Sequence, residues 1–320
     1  RYTAATLSLE QTLGQRNRLD AALTATQIRH NVDGHSMLAS SSAAEPSDTT
    51  AARHDTEHIL SPRLGLVLQP ATGTSVRLAY QDWVRPLSTS TLTAVDTAGI
   101  AVEDRLLEAG GRHKRLAAQL GLELGASSFF SARLDRLRVH NPGTLGVDMR
   151  TPSLPFLEEM RNAQLVNLSS TDVLEDTPSF ETGTLNNLAL GVNHMLSTQW
   201  SAYGKYLYQH GDSSYEDDNQ ASGRVSGKAV PYIPLHTAVL GTTWASSQRL
   251  YLSGRVVYRS ERFEDKENLT RRPPGWSLDL MGFWETRDKH WVVGVAAMNL
   301  FAPASTRQTA RYVVDARYRF

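Results

Sequence analysis

Alternation of apolar and polar side chains with a period of two is the feature that most constrains this chain. In residues 309–320 the even positions from Tyr312 onward are apolar, whereas odd positions carry the charges of Arg311, Asp315 and Arg317. Successive side chains of a β-strand point to opposite faces. The pattern therefore predicts a strand with one apolar and one polar face.

The same alternation recurs upstream in segments of about ten residues, which is the length that a tilted membrane-spanning strand requires. In residues 113–124, for example, Leu116, Leu120 and Leu122 alternate with polar or small residues. We count about thirteen such segments, as expected for a chain built of short transmembrane strands. The chain is predicted to be all-β.

The connections between these segments alternate between short and long. Long polar connections are predicted near residues 30–58, 86–111, 141–183, 210–235 and 261–275. Tight periplasmic turns and long extracellular loops are typical of outer-membrane barrels, whereas a soluble sandwich has no reason to keep its long loops at one end. We predict a transmembrane antiparallel up-and-down β-barrel that forms a single domain over residues 1–320.

Strand number and orientation follow from this alternation. If the last strand ends in the periplasm, the first strand, near residues 2–13, starts outside the cell. Because closed bacterial barrels have an even number of strands, we expect about fourteen strands, at least one of them upstream of residue 1. The chain would then be the C-terminal part of a longer precursor. A hairpin within residues 100–107 or 165–174 would raise the total to about sixteen.

Composition excludes several classes of function. The 33 basic and 33 acidic residues balance, which disfavours a nucleic-acid partner. The chain has no cysteine, so thiol catalysis and iron–sulfur clusters are excluded. The ten histidines share no catalytic or metal-binding motif. We predict no enzyme activity, no catalytic residue, no metal site and no cofactor.

Aromatic residues are predicted to mark the membrane boundary. Trp and Tyr favour the lipid–water interface because their rings are apolar and their N–H or O–H groups need polar partners. The candidates, which lie near predicted strand ends, are Trp200, Trp244, Trp276, Trp284, Trp291, Tyr318 and Phe320. The lipid bilayer is therefore a predicted partner of the chain.

Charged residues on the polar face are predicted to line the barrel lumen. The candidates are Arg63, Arg77, Arg115, Glu123, Arg133, Asp135, Lys205, Arg255, Arg259, Asp279, Arg311, Asp315 and Arg317. They could form a mildly basic pore wall for anionic or hydroxyl-rich solutes. They could equally form a network of paired charges that fills and stiffens a narrow barrel. The sequence leaves both interpretations open.

The stretch from Val230 onward resembles the C-terminal strands of TonB-dependent outer-membrane receptors. The resemblance rests on five ordered segments, at residues 230–236, 258–263, 274–276, 298–301 and 318–320. The terminal aromatic resembles the signal that the barrel-insertion machinery reads. Such receptors carry a plug inside a barrel of about 22 strands. In overall size, the chain resembles the barrels of exopolysaccharide-export porins.

Three functions remain open at this point. The first is a transport or export conduit for a solute or a secreted polymer through a charged lumen. The second is a non-conducting barrel that anchors a periplasmic or cell-surface assembly. The third is a shortened relative of TonB-dependent receptors that binds a ligand. The sequence upstream of residue 1 would discriminate between these functions, because helical repeats there would favour polymer export and a plug domain would favour a receptor.

Overall fold

The computed structural model describes residues 2–32, 53–86, 95–102, 106–107, 110–141, 181–216, 224–265, 267–301 and 310–318. These residues form eighteen strands. Their bounds are β1 Tyr2–Leu13, β2 Asn17–Val32, β3 Arg53–Ala71, β4 Thr74–Val84, β5 Asp96–Thr97, β6 Ile100–Ala101, β7 Arg112–Glu123, β8 Ser128–His140, β9 Thr182–Met195, β10 Trp200–Glu216, β11 Arg224–Ala229, β12 His236–Ala245, β13 Leu250–Arg259, β14 Arg262–Phe263, β15 Arg271–Arg272, β16 Gly275–Glu285, β17 Trp291–Leu300 and β18 Arg311–Tyr318. No helix in these ranges is long and apolar enough to serve as a membrane span.

One antiparallel sheet dominates the structure. It joins strands in the order β1-β2-β3-β4-β7-β8-β9-β10-β12-β13-β16-β17-β18, and the short β11 pairs with β10 as the fourteenth strand. Each long strand therefore pairs with its neighbours along the chain, which confirms the predicted all-β, up-and-down arrangement. Within the described ranges, β1 and β18 each pair on one side only.

Several strands extend further than the apolar pattern predicts. The β2–β3 pairing continues to Val32 opposite Arg53, well inside the predicted connection 30–58. Strand β10 likewise runs to Glu216. Backbone pairing does not require an apolar face, so a ladder can continue where the alternation of side chains has ended.

The hairpin considered for residues 100–107 exists in a different form. Strands β5 and β6 pair with each other over residues 96–101 and make a separate two-stranded sheet. This hairpin therefore adds no strand to the large sheet. The other segment considered, 165–174, lies outside the described residues.

The two faces of the large sheet differ in the way expected of a membrane protein. On one face, which we call the apolar face, large side chains such as Leu116 and Leu240 are 65% and 67% exposed. On the other, the polar face, Arg115 and Gln81 are fully buried. Exposed aliphatic surface of this extent marks a surface that contacts lipid or protein in the cell.

Candidate functional site

The β5–β6 hairpin packs against the polar face of the large sheet. Thr97, Ala98 and Ile100 are buried there. Gly65 on β3 permits this close approach, because a Cβ at that position would lie 2.8 Å from the side chains of Thr97 and Ala98. Gly99 at the hairpin turn has a positive φ of 73°, a conformation that glycine adopts without strain.

Side chains of four sheet strands hold the hairpin by its backbone. The hydrogen bonds are Arg63 Nη1 to Asp96 O at 3.3 Å, Ala98 N to Asp20 Oδ2 at 2.8 Å, Arg77 Nη1 to Gly99 O at 3.4 Å, Gln81 Nε2 to Ile100 O at 2.7 Å and Arg115 Nη1 to Ala101 O at 3.1 Å. Three of the predicted lumen residues, Arg63, Arg77 and Arg115, thus meet at one place. Their partner is a segment of this chain, which the sequence did not predict.

An ionic network centred on Asp135 lies next to the hairpin. Its carboxylate accepts hydrogen bonds from Arg115 Nη2 at 3.2 Å and Asn187 Nδ2 at 2.8 Å, and it forms an ion pair with Arg133 Nε at 3.1 Å. The side chains of Asp135 and Arg115 are each 2% exposed. A buried pair of this kind is stable only when further hydrogen bonds satisfy both groups. Asn187 supplies the further hydrogen bond to Asp135, and Arg115 donates a further one to the carbonyl oxygen of Ala101.

The predicted charged residues of β13 and β16 form a smaller cluster. Arg255 Nε donates to Asp279 Oδ2 at 2.6 Å, and the backbone N–H of Asn299 donates to Asp279 Oδ1 at 2.8 Å. Arg255 is 48% exposed, unlike the buried Arg115. Arg259 ends β13, opposite Gly275. This cluster is separate from the hairpin.

The remaining charged candidates do not converge on a site. Glu123 lines a cavity of about 350 Å³ beside the short turn at Gly73, together with Phe129. The Nζ of Lys205 lies 5.8 Å from the ring centroid of Tyr203. On β18, Arg317 pairs with Asp315 at 2.7 Å, and Arg311 is exposed. All these residues lie on the polar face by strand register.

Six of the seven predicted interface aromatics lie on the apolar face, and four of these six meet in two pairs. Ring centroids are 6.2 Å apart for Trp200 and Trp244 and 5.0 Å apart for Trp291 and Tyr318. Trp284 is exposed near the same edge, and Trp276 lies at the opposite end of the strands. Phe320 lies outside the described residues. Their assignment to the membrane boundary stays a prediction.

The sequence did not predict a hairpin at residues 96–101, nor the contacts that three polar residues make with it or beside it. Asp20 and Gln81 contact its backbone, and Asn187 supports the adjacent carboxylate. Only the Ala98–Gly99 pair, a turn signal inside a predicted loop, pointed to a hairpin. The described residues contain no group of three or more potential metal ligands.

The C-terminal half of the described sheet is similar to a known family. Residues 179–300 match the family described as TonB dependent receptor-like, beta-barrel. The predicted resemblance is confirmed. The family's motif segments also contact one another here, since Tyr232 N donates to Phe263 O at 2.7 Å and the rings of Tyr258 and Trp276 are 4.7 Å apart. A comparison with curated protein sequences finds no match.

Solved receptor structures share the fold. The siderophore receptor PiuA from Acinetobacter baumannii is 15% identical, with 93% of this chain and 38% of that one covered and a TM-score of 0.58. BauA, the ferric preacinetobactin receptor of the same organism, is 13% identical, with 99% of this chain and 42% of that one covered and a TM-score of 0.61. The FrpB iron transporter from Neisseria meningitidis (F3-3 variant) is 12% identical, with 100% of this chain and 44% of that one covered and a TM-score of 0.60.

The chain therefore spans about two fifths of the length of PiuA and BauA. At this level of identity, the likeness establishes the fold. The chain has the antiparallel barrel fold of outer-membrane receptors.

Proposed function

We propose that this chain forms part of an outer-membrane receptor barrel that takes up a metal chelate into a Gram-negative cell. The observation that carries the proposal is the family match over residues 179–300, which covers strands β9 to β17. Among the solved structures with this fold are a siderophore receptor and an iron transporter. Of the three functions considered from sequence, the receptor has more support than the export conduit or the anchor.

In this proposal, the apolar face contacts lipid and the polar face lines the interior. The short turns would face the periplasm and the long connections would face outward, as in other outer-membrane barrels. The predicted lumen residues would then be interior residues, with Arg63, Arg77 and Arg115 holding the hairpin 96–101 inside. A solute on its way inward would pass this hairpin.

The hairpin gives the proposed interior a specific role in selectivity. The hairpin presents backbone and short side chains to the interior, where an uncovered barrel wall would present guanidinium groups. The three arginines donate hydrogen bonds to the carbonyl oxygens of the hairpin instead. The interior near β2–β8 would therefore be narrower, and it would offer a solute fewer free guanidinium N–H groups than a count of its arginines indicates. This arrangement favours a selective receptor over a wide charged conduit.

Uptake of iron chelates tests the proposal. The protein would be expressed in a strain that lacks its own ferric-chelate receptors, and growth would be measured with single ferric siderophores as the iron source. We expect growth on at least one chelate, and none when the energy-coupling protein TonB is deleted. Growth on no member of a broad panel, combined with stable ion conductance in planar bilayers, would favour the conduit.

Insertion into the membrane is a separate part of the proposal. The terminal strand β18 carries Tyr312, Val314 and Tyr318 on its apolar face. We propose that the barrel-insertion machinery recognises this strand. Replacing the three residues with serine should leave the protein unfolded in the periplasm, which protease digestion of isolated cells would detect.

A further inference from the structure

Three basic side chains lie close together on the apolar face, where an aliphatic band would be expected to continue. They are Lys114 on β7 and Arg136 and Arg138 on β8, and all three are exposed. Lys114 lies directly opposite Arg138 in the strand register. Arg136 and Arg138 are two residues apart on one strand, hence about 7 Å from each other on the same face. We call these three residues the basic cluster.

The strand register places the basic cluster at one edge of the aliphatic band. Leu116, Arg136, Asn186 and His210 are consecutive partners across β7, β8, β9 and β10. This row separates two zones of the apolar face. Toward the short turns the face is aliphatic, and toward the long connections it is polar. In the membrane placement proposed above, the basic cluster would lie at the boundary between lipid tails and headgroups.

The basic cluster has no acidic partner in the described part of the chain. Lys114 lies opposite Asp82 on β4. Both carboxylate oxygens of Asp82 are already engaged, because Arg112 donates to them at 2.7 and 2.6 Å. Thr184 on β9 lies between Arg138 on β8 and Asp212 on β10 in the strand register. Asp212 is therefore two strands, or about 10 Å, away from Arg138.

An anion bound at the basic cluster would relieve the repulsion between its side chains. Like charges directly opposite each other in an antiparallel pair destabilise the sheet. The cost increases at a membrane boundary, where fewer water molecules screen the charges. A phosphate group can accept charge-assisted hydrogen bonds from several Lys and Arg side chains at once. Phosphorylated headgroups occur at this depth beside a membrane-embedded strand.

We propose that Lys114, Arg136 and Arg138 bind the phosphate groups of a lipid in the outer leaflet. The neighbouring aliphatic residues, Leu116 and Leu134, would contact the acyl chains of the same lipid. The chemistry that selects this ligand is the combination of cations that have no acidic partner among the described residues with an adjoining aliphatic surface. This inference rests on the membrane placement proposed above, but not on the chelate that the receptor carries.

Native mass spectrometry in neutral detergent micelles tests this inference. The probes are lipid A with two phosphates and the same lipid after enzymatic removal of both. We expect the unmodified protein to retain the phosphorylated lipid. A K114Q/R136Q/R138Q variant should bind it about a hundredfold more weakly, because each basic residue near an anionic lipid contributes about fivefold.

Two control variants accompany the test. An R16Q/R287Q/K289Q variant removes the same charge from exposed residues of two short turns, and should bind the lipid as the unmodified protein does. An R136K/R138K variant keeps the charge and should retain most of the binding. Heat-dependent migration on gels verifies that each variant has folded.

Two results would overturn the inference. One is equal retention of phosphorylated lipid by the folded triple-glutamine variant. The other is equal binding of the dephosphorylated lipid, which would mean that only the aliphatic surface is recognised. Flotation of proteoliposomes reports membrane insertion separately. A protein that floats and supports chelate uptake but binds no lipid A therefore disproves the lipid site alone.

Discussion

The region β1–β8 and the region β9–β18 have the same strand architecture but differ on the polar face. In the first region, Arg115 and Asp135 are buried, and a hairpin of the chain covers the wall. In the second, the main ion pair, Arg255 with Asp279, leaves the guanidinium half exposed. The family match covers residues 179–300, which lie in the second region.

This difference shows that family resemblance and interior chemistry are located in separate parts of the chain. The recognisable segments of the second region contain turn residues and strand-end aromatics, whose positions the membrane boundary dictates for any member of such a family. The interior of the first region depends on contacts between distant segments. We infer that the features specific to this protein lie mainly in β1–β8.

Removal of Asp135 should have the largest effect. An Asp135→Ala change leaves Arg115 buried without its counter-charge, and we expect a loss of about 3–5 kcal/mol in the free energy of unfolding. Asp279→Ala should cost less, about 1–3 kcal/mol, because Arg255 can turn to solvent. Urea titration of the protein in lipid vesicles measures both. Equal losses would remove the proposed distinction between the two regions.

The apolar face should show no such distinction. Leu120→Arg in the first region and Val295→Arg in the second each place a charge in the aliphatic band, and each should cost about 2–4 kcal/mol. Ala296→Arg, on the polar face next to Val295, is the matched control and should cost less than about 1 kcal/mol. The same urea titration applies. If the control is as destabilised as Val295→Arg, the assignment of faces in β17 is wrong.

A glycine substitution tests the hairpin directly. Gly65→Val should displace Thr97 and Ala98 and cost about 1–3 kcal/mol through overpacking. Gly294→Val is the matched control, since a Cβ there meets its nearest atoms only at 4.0 Å. Protease sensitivity of residues 95–101 reports the displacement. Unchanged protection of this hairpin in the folded Gly65 variant would contradict its packing against β3.

The smallest effect concerns pH and a turn of the second region. Burial alone would raise the pKa of Asp265, but hydrogen bonds from the Leu269 and Thr270 amides outweigh it and lower the pKa below its ordinary value. Because the folded pKa is below the unfolded value of about 3.9, the carboxylate stabilises the turn above that pH and loses this effect as the pH falls through the folded pKa.

Hydrogen exchange at the Leu269 amide measures this effect. Protection should decrease once the pH falls below about 4. Asp265→Asn should weaken protection at neutral pH and abolish its pH dependence. The hairpin 96–101 is a useful comparison, since four of its five wall contacts join Arg or Gln side chains to backbone carbonyl oxygens and involve no carboxylate. Equal loss of protection in both segments would indicate general acid unfolding.

Local patterns were sufficient to predict most of the sheet. Alternation in segments such as 113–124 predicted strands and their two faces, because side-chain direction in a strand depends only on position along the chain. Strand ends were less accurate, as β2 and β10 show. Their outer parts pair through the backbone, and their side chains there need not alternate.

The candidate site was predictable only in part. The alternation of side chains assigned Arg63, Arg77 and Arg115 to the polar face, and all three donate hydrogen bonds to the hairpin 96–101 there. Their common partner was not predicted, because the hairpin is short and has no periodic pattern of its own. The contacts of Asp20 and Asn187 were not predicted for a related reason, since each residue lies far along the chain from the groups that it contacts.

The sequence by itself determined that this chain forms amphipathic antiparallel strands of membrane-spanning length, since that outcome depends on a period of two and on turns between neighbours. Only the tertiary structure decided which charges are buried, which remain exposed and which segment covers the polar face. Those outcomes depend on strand register and on contacts such as that of Asp20 with Ala98, between residues far apart in the chain.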